Sequence, residues 1–322
     1  MKFLKYSSTV KIIDTKKMFD HYEYIIKLIN KAFLKRKNNC PHCNSRQIIK
    51  YGHFGENKQR YKCKACGKTF NIYTYTILSY SKKDVKDWIA YINCMLRKLT
   101  VRSSAGEIKI SNTTSFYWRH KILKLLKDEM PNDLCGIIEV KTSYSIENLK
   151  GRRYRCSQIV DNSKKDRRIS TICCVDRRGD IFSKVVCRGT MNYRSVEETL
   201  KDRIASNSIL CLDNNMAYVS FAKKYKLRFH KINYARQIVN FRFHILNAIG
   251  FIKNVQDLIH CFRGVATRYL NFYLNWIKWI DVMKRQTVGQ YVNNFLDMVT
   301  KKYIFRIYDF KMIGELGQYT RL

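Results

Sequence analysis

The sequence predicts an α/β protein whose main domain is a mixed β-sheet with helices on both faces, preceded by a cysteine-rich module and a helical module. Three observations carry this. Four of the 12 cysteines fall in two Cys-x-x-Cys pairs near the N-terminus. Apolar residues in 82–128 recur at spacings of three and four, the helical period. After Pro131 the pattern changes to short β-rich runs separated by helical segments. A chain of 322 residues suits two or three domains. The sequence divides into a basic helical lead-in (1–37), the cysteine module (38–72), the helical module (82–130), the sheet domain (131–280) and a basic tail (281–322).

In the lead-in, Tyr22, Ile25, Ile26, Ile29 and Phe33 lie at helical spacing. The cysteine module begins with Cys40-Pro-His-Cys43 and ends with Cys63-Lys-Ala-Cys66. Each pair can form a tight knuckle aiming two thiolates at one metal. A hairpin of Gln47–Tyr51 and Gln59–Lys62, turning at Gly52 and Gly55, would bring the knuckles together. Four thiolates leave no open position, so the expected ion is a structural Zn²⁺ in a zinc ribbon. Lys62, Lys64 and Lys68 would offset the negative cluster. His42 and His53 read as hairpin residues. The other cysteines, such as Cys173, Cys174, Cys187 and Cys211, read as small buried hydrophobes of a reducing compartment.

The helical module holds a helix-turn-helix pattern. A short helix over Arg102–Ile108 precedes a turn, and Ser111 or Asn112 can cap the next helix. That second helix carries Thr113, Thr114, Tyr117, Arg119, His120 and Lys121. Polar residues early in such a helix suit entry into the DNA major groove. Thr113, Thr114, Tyr117, Arg119 and Lys121 are the expected DNA contacts.

In the sheet domain, strands are expected at Ile137–Val140, Ile169–Val175 and Ile181–Val186, the last two joined by the turn Asp176-Arg-Arg-Gly-Asp180. A helix over Ser195–Ile204, a buried strand Ile209–Leu212, a helix Met216–Tyr225 and a strand Arg228–Ile232 follow. Mostly helical pattern runs from Tyr234 to Trp279. Three strands as a meander, extended by parallel crossovers, give the ribonuclease H-like order. Asp176 reads as a turn residue, and Glu197 and Glu198 as solvated helix residues.

Charge narrows the function. There are 62 Lys and Arg against 25 Asp and Glu, a formal net charge of +37. A polyanion is the natural partner of such a chain, and double-stranded DNA is the leading one. An AT-rich genome explains many lysines but not the scarcity of acids. Hydrophobic residues at 46% exclude global disorder. No membrane span is expected. Met1–Lys17 lacks the apolar core of a secretory signal, so a cytoplasmic, nucleoid-associated protein is expected.

Taken together the motifs resemble the bacterial insertion-sequence DDE transposases with an N-terminal zinc ribbon and an ISXO-type catalytic domain, over roughly residues 38–280. The resemblance rests on the ribbon, Thr76-Ile77-Leu78, Trp88, and Ser115-Phe-Tyr-Trp-Arg-His-Lys-Ile-Leu123. It continues through Lys150-Gly151, Val175-Asp-Arg-Arg-Gly179, Leu212-Asp213 and Tyr218. Its most specific part is Arg263-Gly-Val-Ala-Thr-Arg-Tyr-Leu-Asn-Phe-Tyr-Leu-Asn-Trp276. The resemblance implies a ribonuclease H-like core that cuts and joins DNA ends with two divalent ions, usually Mg²⁺, and that works as a homo-oligomer.

Such chemistry needs carboxylates holding two ions about 4 Å apart. In the family the first strand reads approximately Val-Glu-Val-Asp-Glu-Thr-Tyr. Here it reads Ile138-Glu139-Val140-Lys141-Thr142-Ser143-Tyr144, so Lys141 stands at the first aspartate position. Asp213 is the surviving second carboxylate. The third position, usually His, falls on Phe243, with His244 one step on; the lysine closing that segment is Asn247. A lysine repels Mg²⁺ and can pair with Asp213. Glu139 and His244 are rescue candidates, but Glu139 sits two residues from Lys141, a displacement of about 6.6 Å along the strand. Further along, Arg263 and Arg268 are candidate phosphate contacts, whereas Tyr269, Phe272, Tyr273 and Trp276 read as core. The expected function is a transposase or transposase-derived DNA-binding protein recognising element ends, with strand transfer impaired by Lys141. Mg²⁺ enters only if the site works. The competing readings are a domesticated regulator or architectural protein on the same scaffold, and an active enzyme with an unusual metal site.

Overall fold

The computed structural model describes residues 22–54, 58–127, 133–150, 167–232 and 241–285, with isolated positions between 290 and 300. The described residues belong to two compact units, Leu126–Trp279 on one side and 22–125 with part of 280–309 on the other. Most of the lead-in before Tyr22, Gly151 and most of the tail lie outside the described residues.

The unit containing residues 22–125 begins with α1 (Tyr22–Lys35), whose Ile29 and Phe33 are fully buried, as the spacing predicts. The ribbon is an antiparallel three-stranded sheet of β1 (Ile48–Phe54), β2 (Lys58–Cys63) and β3 (Thr69–Phe70). Its register shifts between Lys50 and His53, where Gly52 takes a positive φ of 67° that suits glycine. Cys40, Cys63 and Phe70 form its small core.

Three helices follow: α2 (Val85–Leu96), α3 (Val101–Ile108) and α4 (Asn112–Lys127). Caps fix their starts. Asp84 and Asp87 form a capping box on α2, the Thr100 hydroxyl accepts from Ser103 N, and Ser111 Oγ accepts from Thr114 N at 3.0 Å. α3 ends at Lys109 in the left-handed conformation, φ 55°. The two long helices lock through Trp88 and Trp118, stacked at 3.9 Å, and through the Tyr91 hydroxyl bonded to Ser115. Such aromatic pairs add about 0.5–1.5 kcal/mol beyond the area they bury.

The second unit is built on a five-stranded sheet of β4 (Ile137–Ile146), β5 (Arg168–Asp176), β6 (Ile181–Arg188), β7 (Ile209–Leu212) and β8 (Arg228–Lys231). Its order is β6-β5-β4-β7-β8. β4, β5 and β6 pair antiparallel, and β7 and β8 extend the sheet in parallel, as the sequence order predicts. Between them lie α5 (Tyr193–Leu200) and α6 (Met216–Lys224), and after β8 come α7 (Leu246–Cys261) and α8 (Leu270–Arg285). Every residue of β5 after Arg168 is buried, the mark of a strand covered on both faces.

One face carries Ile138, Val140, Ile172, Cys174, Leu210 and Leu212 against Val196, Leu200, Tyr218 and Phe221 of α5 and α6. Each such aliphatic side chain stabilises by about 1.5–3 kcal/mol when fully buried. On the other face, Ser143, Thr171, Cys173 and Ser183 meet Phe251 and Val255 of α7 and Leu274 of α8. The β5–β6 turn is held by Asp176, whose carboxylate accepts from the amides of Arg178 and Asp180, both at 2.9 Å. Glu197 departs from expectation. It ties α5 to α6 by accepting from Lys224 Nζ at 2.6 Å and the Tyr225 hydroxyl at 2.9 Å. Among the described residues no helix is long and apolar enough to cross a membrane.

Candidate functional site

The cysteine module brings its four ligands together. Cys40 Sγ and Cys66 Sγ are 3.7 Å apart, and Cys43 Sγ and Cys63 Sγ are 3.6 Å apart. All four sulfurs lie within 4.8 Å of one another. A tetrahedral Zn²⁺ with Zn–S bonds of about 2.3 Å places its sulfurs about 3.8 Å apart, so the donor set fits that ion. The knuckles arise locally: Asn44 N donates to Cys40 O, Gly67 N donates to Cys63 O, and Asn44 and Gly67 both take positive φ. The Cys63 thiol is pulled down to about 7, first by the Cys66 amide, against the effect of burial. Thiolate is the form a metal binds. His42 is no ligand; its Nδ1 meets the Tyr75 hydroxyl at 2.8 Å.

In the sheet, β4 and β7 set the second candidate site. Val140 pairs with Leu212, so the register carries Lys141 alongside Asp213. Asp213 is occupied at both oxygens. Oδ2 accepts from Thr142 N at 2.9 Å and Oδ1 accepts from Asn215 N at 3.1 Å. It thus closes the strand end and starts the turn into α6, where Asn215 caps the helix through Ala217 N.

Glu139 is wholly buried and surrounded. Arg177 Nη1 donates to its Oε1, as does Asn247 Nδ2 at 2.8 Å, and Ala248 N donates to Oε2 at 2.9 Å. His244 Nδ1 lies 3.2 Å from the same Oε1. The carboxylate therefore sits at the N-terminus of α7, where the helix dipole favours an anion. It anchors α7 and the β5–β6 turn to β4. Glu139 and His244, the weak rescue candidates for a metal site, thus meet in one buried ion-pair network. Phe243 stacks on His230 at 3.9 Å and packs near Cys211.

The formal charges of Lys141, Asp213, Glu139 and Arg177 sum to zero. Sequence reasoning missed Arg177, which it assigned only to a turn. The signal was present: two successive arginines, of which Arg178 serves Asp176 and Arg177 reaches across to Glu139.

On α4 the predicted DNA contacts separate. Thr113 and Tyr117 are exposed and Thr114 is half-buried. Arg119 is fully buried, and its guanidinium donates to Leu99 O at 2.6 Å and to Ser104 Oγ at 3.2 Å. Lys121 donates to Ser79 O at 3.1 Å, and burial pushes its amine down to about 8. Arg119 is thus corrected from a DNA contact to a packing residue, while Lys121, on the other side of the helix, is half-buried against the Ser79 carbonyl. Farther along the chain, Arg263 is exposed, whereas Arg268 lies over the Tyr269 ring at 4.8 Å. Tyr269, Tyr273 and Trp276 are core, as the spacing predicts, whereas Phe272 is only half-buried.

No family model matches the chain. It is similar to an uncharacterized protein in transposable element ISH50 of Halobacterium salinarum. The two are 32% identical over 114 residues, which is 35% of this chain and 38% of that relative. The chain thus spans well under half of the relative it matches.

Proposed function

We propose that this chain is a transposase, or a descendant of one, from an insertion element, and that it binds element-end DNA but no longer performs two-metal strand transfer. The likeness to a transposable-element protein supports the origin. The ribbon, the capped three-helix module and the net charge of +37 support DNA binding. The loss of chemistry is supported by Lys141 at the position where the resembled family carries its first aspartate, one residue past the Val140–Leu212 pair. Glu139, the nearest other carboxylate on the strand, is held by Arg177 and α7.

The test is a strand-cleavage assay on element-end DNA with Mg²⁺ or Mn²⁺, with Asp213→Ala as control. No cleavage is expected, and Lys141→Asp alone should not restore it. Metal-dependent nicking by the unaltered chain, abolished in Asp213→Ala, would overturn the proposal and favour an active enzyme. Binding is tested on duplex ends: Tyr117→Ala should weaken it, with little change in folding stability. Arg119→Met should instead lower stability by about 1–3 kcal/mol by stranding its buried acceptors. A regulator or architectural protein on the same scaffold is favoured by the same intact binding modules beside a spent carboxylate site. A coding region with no flanking inverted repeats would support it.

A further inference from the structure

Between the ribbon and α2 one side chain stands out. Tyr80 is 96% exposed and holds a left-handed backbone, φ 61°. A side chain crowds the backbone there, so glycine or asparagine is the ordinary occupant. Tyr80 is the third residue of a turn closed by Ser81 N, which donates to Leu78 O at 3.0 Å. The same conformation at Tyr75, φ 58°, is explained inside the fold. Its hydroxyl meets His42 Nδ1 at 2.8 Å, and the two rings pack edge to face. The ring and hydroxyl of Tyr80 have no partner among the described residues. A tyrosine that the fold does not use, in a conformation that disfavours it, is explained by a contact outside the fold.

The turn is firmly held. Ile77 and Leu78 at its base are buried. From α4, Lys121 Nζ donates to Ile77 O and Ser79 O at 3.4 and 3.1 Å. Ser81 Oγ accepts from Trp88 Nε1 of α2 at 3.0 Å and from the Lys83 amide at 3.1 Å. Thr113, Tyr117 and Lys121 follow one another at intervals of four, so they share one face of α4, and the first two are exposed. The turn that Lys121 holds therefore borders the exposed face of α4. Lys82 and Lys83 follow Tyr80 and are exposed. The acids after them are occupied. Asp84 pairs with Lys58 Nζ at 3.3 Å, and Asp87 Oδ2 accepts from the Asp84 amide at 3.2 Å.

From a fixed turn, a solvent-facing phenol and two lysines beside the exposed face of α4, we infer that residues 80–83 clamp the sugar–phosphate backbone of duplex DNA. The Tyr80 hydroxyl donates to a phosphate oxygen and its ring lies on the adjoining sugar, while Lys82 and Lys83 neutralise flanking phosphates. This rests on the DNA-binding reading above and adds to it a contact that positions the duplex without reading its sequence.

The experiment uses the full-length, zinc-loaded chain and two fluorescein-labelled duplexes, one taken from the DNA flanking its coding region and one a shuffled sequence of equal length. Anisotropy is read across a salt series. Tyr80→Gly should weaken binding to both duplexes by about tenfold, the size of one hydrogen bond to a charged group. Its urea midpoint should hold or rise, because glycine suits the turn. Lys82→Ala with Lys83→Ala should flatten the log–log salt dependence by about 0.9 for each phosphate released, and Tyr80→Gly should leave that slope as it is. Unchanged affinity in Tyr80→Gly overturns the inference. So does a lowered urea midpoint, which would mean that the fold uses the tyrosine, or a loss confined to the flanking sequence, which would mean that Tyr80 reads bases. Each of these leaves the DNA-binding reading standing. Failure of the unaltered chain to bind either duplex overturns that reading itself.

Discussion

The four cysteine sulfurs of the ribbon lie within 4.8 Å of one another, whereas the two carboxylates along β4 and β7 point into separate hydrogen-bond networks. Both regions are drawn from residue types that bind metals. The difference is in what else each side chain does. The knuckle sulfurs have one another and the turn amides as neighbours, so a cation completes them. Glu139 has Arg177, the Asn247 side chain and the Ala248 amide in the first turn of α7, so a cation would have to displace an arginine and a helix end. Ligand identity is therefore a weaker guide to a metal site than the partners the ligands already hold.

The largest test of this contrast is metal removal. Ribbon folding should depend on zinc outright, because binding free energies of about 10–16 kcal/mol are folding free energies in such sites. A chelator, or Cys63→Ser, should abolish amide-exchange protection in β1 and β2 while the five-stranded sheet keeps its own. The purified chain should carry one zinc. Protected β1–β2 amides after complete metal removal would show that the small core of Cys40, Cys63 and Phe70 suffices alone.

The second test acts on the other side. Glu139→Ala strands Arg177, the Asn247 side chain and the Ala248 amide, and breaking a buried ion pair from one side costs about 3–5 kcal/mol. Glu139→Gln keeps one acceptor and should cost less. Urea unfolding measures both. If Glu139→Ala costs under about 1 kcal/mol, the carboxylate is not an anchor, and its candidacy as a metal ligand reopens.

The sequence made the ribbon legible because its chemistry is local. Two short spacings and a hairpin suffice, and no long-range contact decides them. The sheet order was legible too, since β5, β6 and β7 are short apolar runs between turn signals. Strand β4 was cut short at Val140, yet it runs to Ile146 because Thr142 is buried and Lys141, Ser143 and Ser145 are only part-exposed beneath helices. Polar residues there hide a strand that tertiary packing covers. The surroundings of Glu139 are hidden for the same reason. Its partners come from residues 38 and 108 positions away, which no periodicity reveals. The burial of Arg119 is not legible in the sequence either, because its acceptor, Leu99 O, lies 20 residues away.

The smallest effect compares buried charges of the same sign. Lys278 on α8 is 4% exposed, and its amine lies 5.9 Å from the Phe182 ring centre. Burial, aided by Arg203, pushes it from 10.5 down to about 8, against a raising influence of Cys173. A lysine whose folded pKa is depressed binds fewer protons in the native state than in the unfolded one between these values. Stability therefore rises as pH increases from about 8 to 10.5, and the penalty of holding the ammonium in the interior is fully present below about 8. Lys278→Met removes the titrating group and keeps the chain's bulk. It should raise stability at pH 7 by on the order of 1–2 kcal/mol and flatten the alkaline rise. Lys121, which has carbonyl acceptors at Ile77 and Ser79, should gain less from the same change. Unfolding curves for both variants from neutral to alkaline pH decide it. An unchanged slope in Lys278→Met would mean that the ammonium reaches solvent in the folded chain.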